Sequence, residues 1–412
     1  MLSKRPNKKY IRTMSYVLVL FYSQCSGTVF AIENGIVDIR PYVSATAMYD
    51  DNIFRFSNES QAKAAFGTTA MGDTMTSLNA GVNVGIRLSR QQLNLGLGLS
   101  DNKFDRFKLL DYTGNNASAA WVWQFGNHVN GVLSYTQSES APGFAEIRST
   151  LKNLRTTTRE LGKINWQFHP SWLAFASYEQ SQYDNSSIDS RVLNSDSDAV
   201  ELGVQYENAA LSKVRVSLRD TTSNYPDRIG LQLQLFGDSN SQREIISTFG
   251  WSPTKLTKIN ATVSFVELDY PGHSNRNFTG LSQNWTLDYA LTTHTDVLFS
   301  AFKEVSAVQD VLSTFVESTG FSIRPTWQAT SKISLGGSAL YQDRAYLGSS
   351  GVFAGTTEER RDQFRNLNMF LNYQMTRKLL LQTNYSAENR TSNVNVYNIK
   401  DNTLSATLRY DF

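Results

Sequence analysis

Ten charged residues bound the chemistry open to this chain. Arg40, Arg87, Lys163, Arg215, Arg219, Arg324 and Arg409, with Glu201, Glu207 and Asp288, each take a polar position in a stretch where polar and apolar residues alternate. Spaced in that way they do not assemble a nucleophile with its base; they line a surface. Two readings follow. They tune which solute passes through a watery interior, the surplus of arginine favouring anionic or hydroxyl-rich molecules. Alternatively they are the ordinary charges of any aqueous lumen, the plainer reading for each residue taken singly.

Other reactive residue types are sparse. His128, His169 and His294 fall in or beside short polar gaps and His273 in a longer one, so none sits on a strand face beside a nucleophile. No enzymatic activity is expected, and no cofactor or resident metal. Asn194, Asp196 and Asp198 could bind a divalent ion or a lipopolysaccharide-bridging calcium, but a solvated polar loop is the favoured reading. The Gly96 and Gly98 pair interrupts a strand and opens no phosphate-binding helix.

The elements that carry these residues are extended. Leu78, Ala80, Val82, Val84, Ile86 and Leu88 alternate with Asn79, Gly81, Asn83, Gly85 and Arg87, and Leu93, Leu95, Leu97 and Leu99 follow in the same phase. A period of two means strands with one oily and one wet face. Short gaps near 89–91, 126–128, 169–170, 209–212, 252–255, 291–294, 328–331 and 375–378 recur every 40 residues or so. Longer polar gaps lie between them, at 50–75, 103–112, 139–153, 185–196, 226–243, 270–277, 306–313, 345–360 and 391–401. This asymmetry predicts an all-β, transmembrane, antiparallel up-and-down barrel of about 18 strands, with short periplasmic turns and long extracellular loops. Sixteen strands is the alternative count. Residues 229–236 alternate by themselves, as a further hairpin arm or a strand extension, and Pro325 sits where it removes a ladder donor.

Lys4, Arg5, Lys8, Lys9 and Arg12, followed by the apolar run 16–22 and by Val29 and Ala31, read as a secretory signal over residues 1–31, which leaves 32–412 as the barrel. The run is too short for a membrane helix. Losing those five cations and no anions takes the formal charge from +2 to −3, so no nucleic-acid partner is implied. The only cysteine, Cys25, lies in the leader. A hydrophobic fraction of 40% with a mean hydropathy of −0.36 suits a barrel, in which only alternate residues meet lipid.

The seven tryptophans, Trp121, Trp123, Trp166, Trp172, Trp251, Trp285 and Trp327, lie close to short turns, as an inner aromatic girdle requires. Eighteen tilted strands enclose a cylinder about 35 Å across, too wide for side chains to fill. With the first strand starting near Val37, no N-terminal plug is expected, which argues against energised siderophore-type uptake. The loop 50–75 reads equally as a constriction or as an ordinary surface loop.

The closing alternation Leu404, Ala406, Leu408, Tyr410, Phe412 looks like the terminal strand of Gram-negative outer-membrane proteins, which implies insertion by the β-barrel assembly machinery. Asp38-Ile39-Arg40-Pro41-Tyr42 and Tyr49-Asp50-Asp51-Asn52-Ile53-Phe54-Arg55 resemble the opening of the EpsL-like barrels associated with exopolysaccharide operons. That resemblance implies an outer-membrane channel for export of a polysaccharide, set among outer-membrane lipid and lipopolysaccharide and served by a periplasmic or inner-membrane export partner. A general diffusion porin for small solutes, or a structural or adhesive barrel, are the alternatives.

Overall fold

Strict alternation commits a chain to extended structure with its two faces in different surroundings, and the computed structural model has that form. It describes residues 32–33, 35–144, 150–208, 212–307, 315–347 and 359–412. The leader expected over 1–31 lies outside the described residues, as do parts of the gaps 139–153, 209–212, 306–313 and 345–360.

A two-residue strand, β1 (Ile32–Glu33), precedes eighteen long ones. These are β2 (Val37–Asp50), β3 (Asp73–Leu88), β4 (Gln91–Phe104), β5 (Tyr112–Phe125), β6 (Val129–Ser140), β7 (Arg155–His169), β8 (Trp172–Asn185), β9 (Ser195–Glu207) and β10 (Lys213–Asn224). The second half comprises β11 (Ser239–Thr254), β12 (Thr257–Asp269), β13 (Phe278–Thr292), β14 (Thr295–Ala307), β15 (Phe315–Gln328), β16 (Ile333–Leu347), β17 (Arg361–Gln374), β18 (Leu379–Ser392) and β19 (Ile399–Asp411). Each long strand pairs antiparallel with the next, and β19 returns to β2 from Thr403↔Asp50 to Asp411↔Tyr42. The sheet is therefore a closed, eighteen-stranded, up-and-down barrel with no open edge. Among the described residues, short turns and long loops alternate at the expected gaps. At the foot of β2, below the last β19 pair, β1 covers the edge through Ile32↔Ile39 and Glu33↔Asp38.

Side chains two strands apart show which face is concave. Arg219 on β10 reaches Glu179 on β8, and Tyr42 on β2 lies over Gly81 and Gly98 on β3 and β4. The opposite, convex face exposes Leu78, Leu133, Leu202, Leu218, Leu281 and Leu404. It also carries the tryptophans: six stand exposed near the short turns, and Trp123 packs over Gly131. Among the described residues, no helix is long and apolar enough to cross a membrane; the crossing is made by the strands, which run 12 to 16 residues where about 9–11 suffice.

Three local features depart from simple alternation. Residues 229–236 form neither a hairpin arm nor a strand extension. Leu231–Phe236 is a short helix, α2, between Gly230 and Gly237, both at positive φ. Pro325 lies inside β15, and its ladder to β16 skips Arg324 and Pro325 before resuming at Thr326↔Gly336. The loop after β2 folds back on the barrel mouth. Its helix, α1 (Glu59–Phe66), is capped by the Asn58 side chain on the Gln61 amide and ended by left-handed Gly67. Phe54, Phe56, Phe66, Phe107 and Phe144 stack there with centroids 4.7–6.1 Å apart, and Phe104 from the concave face of β4 joins them. That packing gives the loop an apolar anchor which an ordinary surface loop lacks.

Candidate functional site on the inner wall

Register assigns all ten sequence-predicted charges to the concave face, but they fall into separate groups. Lys163, Glu201, Glu207, Arg215 and Arg219 come together on β7 to β10. Arg219 lies 3.8 Å from Glu201 and 3.7 Å from Glu179, which also takes Arg159 at 2.7 Å. Lys213 pairs with Glu207 at 3.2 Å. Lys163 and Arg215 make no ion pair among the described residues; they lie 4.9 and 4.8 Å from the ring of Phe175. Arg215 also donates to the Gln205 side chain at 2.8 Å. Gly203 makes this arrangement possible, because a Cβ there would stand 2.6 Å from the Phe175 ring. A buried ring flanked by two cations gains cation–π attraction and holds both ammonium and guanidinium at the wall.

The remaining predicted charges are dispersed. Arg40 pairs with Asp38 at 2.5 Å, and Arg409 pairs with Asp411 at 2.8 Å while stacking 4.0 Å from the Tyr42 ring. Arg87, Arg324 and Asp288 form no ion pair among the described residues; Asp288 and Arg324 share a cross-strand row through Leu298. Sequence reasoning missed Arg155, Arg159, Glu179 and Phe175 on the charged wall. It also missed an inner-face cluster at the far end of β16 to β18, where Arg360 binds Asp362 at 2.5 Å and stacks on Tyr346 and Tyr397.

The proposed metal triad is not assembled. Asn194 is buried, accepting from the Asn185 amide and donating to Asp227, whereas Asp198 lies on the convex face and accepts from the Tyr178 hydroxyl. A different set, Asp50, Asp51 and Asp401, converges at the mouth. Arg55 already stands among them, 2.9 Å from Asp50 and 3.0 Å from Asp401, and Asp51 accepts from the Asn402 backbone and side chain. A guanidinium thus supplies positive charge there. These residues belong to the Tyr-Asp-Asp-Asn segment, and with the Asn52 amide donating to the Lys400 carbonyl at 2.9 Å they fasten the first strand to the last. The histidines stay apart: His128 and His294 lie in turns, His169 ends β7, and His273 meets the Gln234 carbonyl at 2.8 Å. Beside it, burial pushes the Tyr270 phenol up to about 12 and lowers the guanidinium pKa values of Arg228 and Arg276, which tie the loops of β10 and β12 together through the Phe236 carbonyl.

No family model matches the chain, and no curated protein does. Solved structures do share its fold. Pseudomonas aeruginosa OccK9 (OpdG) aligns at a TM-score of 0.53 and 11% identity, covering 91% of this chain and 98% of that one. A BenF-like porin from Pseudomonas fluorescens aligns at 0.52 and 11%, covering 91% and 99%. Pseudomonas aeruginosa OccK2 (OpdF), solved in complex with glucuronate, aligns at 0.51 and 10%, covering 92% and 100%. The chain has the closed eighteen-stranded fold of these outer-membrane barrels. These likenesses correct two expectations. The chain is not placed among the EpsL-like exopolysaccharide-operon barrels, and the polysaccharide-export function drawn from that resemblance falls with it, because the matched folds are those of small-solute porins. The Tyr-Asp-Asp-Asn segment that carried the resemblance acts here as a strand-to-strand fastening.

Proposed function

We propose that the barrel is a passive diffusion channel for small solutes, with a bias towards anions. The observation that carries this reading is the wall β7 to β10. Its concave face presents six cations, Arg155, Arg159, Lys163, Lys213, Arg215 and Arg219, against three carboxylates, Glu179, Glu201 and Glu207. A surplus of fixed positive charge along a water-filled path raises the local concentration of anions. The fold neighbours support the small-solute part: one is named a porin, and another holds glucuronate. No covalent step belongs to this reading; selection rests on charge, hydrogen bonding and width.

The test is reversal potential in a planar bilayer under a potassium chloride gradient. Anion preference is expected, and Arg215→Glu with Arg219→Glu should reduce or invert it. A cation-selective wild-type channel, or one indifferent to the double change, would refute the bias. Absence of any conductance would refute the channel.

A further inference from the structure

On the stretch of wall next to the main charge ladder, near the short-turn end, β2 to β6 enclose a recess of about 410 Å³. Small residues make the room. A Cβ at Gly85 would meet nothing closer than 3.9 Å, so that position opens directly into the recess. The lining has a definite chemistry. Asp38 is satisfied by Arg40. Arg87 is exposed and has no side-chain partner among the described residues. Around it, Asn94 accepts from Gln92 and its amide donors have no partner among the described residues, and the Ser118 and Thr136 hydroxyls face the same space.

We infer that this recess is a binding site for a small monocarboxylate carrying several hydroxyl groups. One free guanidinium matches one carboxylate in bidentate geometry. The amide and hydroxyl groups around it form a wet, uncharged lining that an aliphatic acid would leave unsatisfied and that a sugar-like chain would fill. The volume lies within the range of small-molecule pockets and excludes a polymer. The inference rests on the channel reading for its purpose, since a solute in transit would pause here.

Isothermal titration of the detergent-solubilised barrel with gluconate tests it, with glucose and acetate as the neutral and the hydroxyl-free controls. Gluconate should bind, and each control should bind at least about tenfold more weakly, the scale of one charge-assisted bond. Gly85→Leu should abolish binding by filling the recess, and Arg87→Gln should weaken it about tenfold. Heat-modifiable migration confirms that each variant is folded; should Gly85→Leu fail to fold, Arg87→Gln decides. Absent gluconate binding, equal binding of acetate or glucose, or binding indifferent to Arg87→Gln would overturn the inference. Conductance of the same preparation separates the two claims: a conducting barrel that ignores gluconate keeps the channel and loses the recess, and a silent one that binds gluconate does the reverse.

Discussion

Two walls of one interior solve different problems. From β2 to β6 the concave face bears Asn79, Gly81, Asn83, Gly85, Asn94, Gly96, Gly98, Asn116 and Ser118, short and largely uncharged, and the wall hollows into a recess. From β7 to β10 it bears long cations and their carboxylate partners, gathered around the buried ring of Phe175. The same strand geometry underlies both. What differs is side-chain length: glycine and asparagine leave space at the wall, whereas arginine fills it and projects a field. Shape recognition belongs to the first wall and charge selection to the second.

Charge reversal at Arg215 and Arg219 should give the largest effect. Turning two cations into anions beside Glu201 changes the local charge by four units, and a shift of about tenfold in the anion-to-cation permeability ratio is expected in bilayer recordings. The same double change should leave gluconate titration unaffected if the walls act separately.

A matched glycine pair sharpens the contrast next. Gly203→Ala drives a methyl into the Phe175 ring and should cost about 1–3 kcal/mol, read as a lower transition temperature in the heat-modifiability assay. Gly85→Ala, with open space before it, should leave that temperature unchanged. Equal effects would mean that the two walls are packed alike. Arg219→Gln should have the smallest effect. Its contacts to Glu179 and Glu201 are long and part-exposed, so a change in stability below about 1 kcal/mol is expected.

The division between the walls was only half legible in the sequence. Alternation in 78–88 and 93–99 located β3 and β4 and their inward residues, because the convex face there is continuously aliphatic. It failed for Arg155, Arg159 and Glu179. There the convex face is itself polar, with Thr156, Thr158, Glu160 and Gln180 opposite, as the strands emerge beyond the oily belt. With both faces wet, a period of two carries no signal. The stretch 229–236 erred in the other direction. Leu231 and Leu233 alternate with glutamines, yet Gly230 and Gly237 at positive φ bracket a single helical turn that six residues of pattern cannot distinguish from a strand. Phe175 was unreadable for a third reason: an aromatic on the wet face is explained only by its neighbours Lys163, Arg215 and Gly203, which lie on three other strands.

The fastening at the mouth has a consequence for how the cylinder is completed. Asp51, Asn52 and Arg55 find Asn402, Lys400 and Asp401 only when segments some 350 residues apart in the chain have met. In any sheet still lacking that final join, Arg55 keeps only Asp50 of its two carboxylates and the Asn52 side-chain amide only Phe56, and the first loop has no polar tie to the last strand. Completion of the circle and ordering of that loop are therefore a single cooperative event, and a half-built ring cannot counterfeit it.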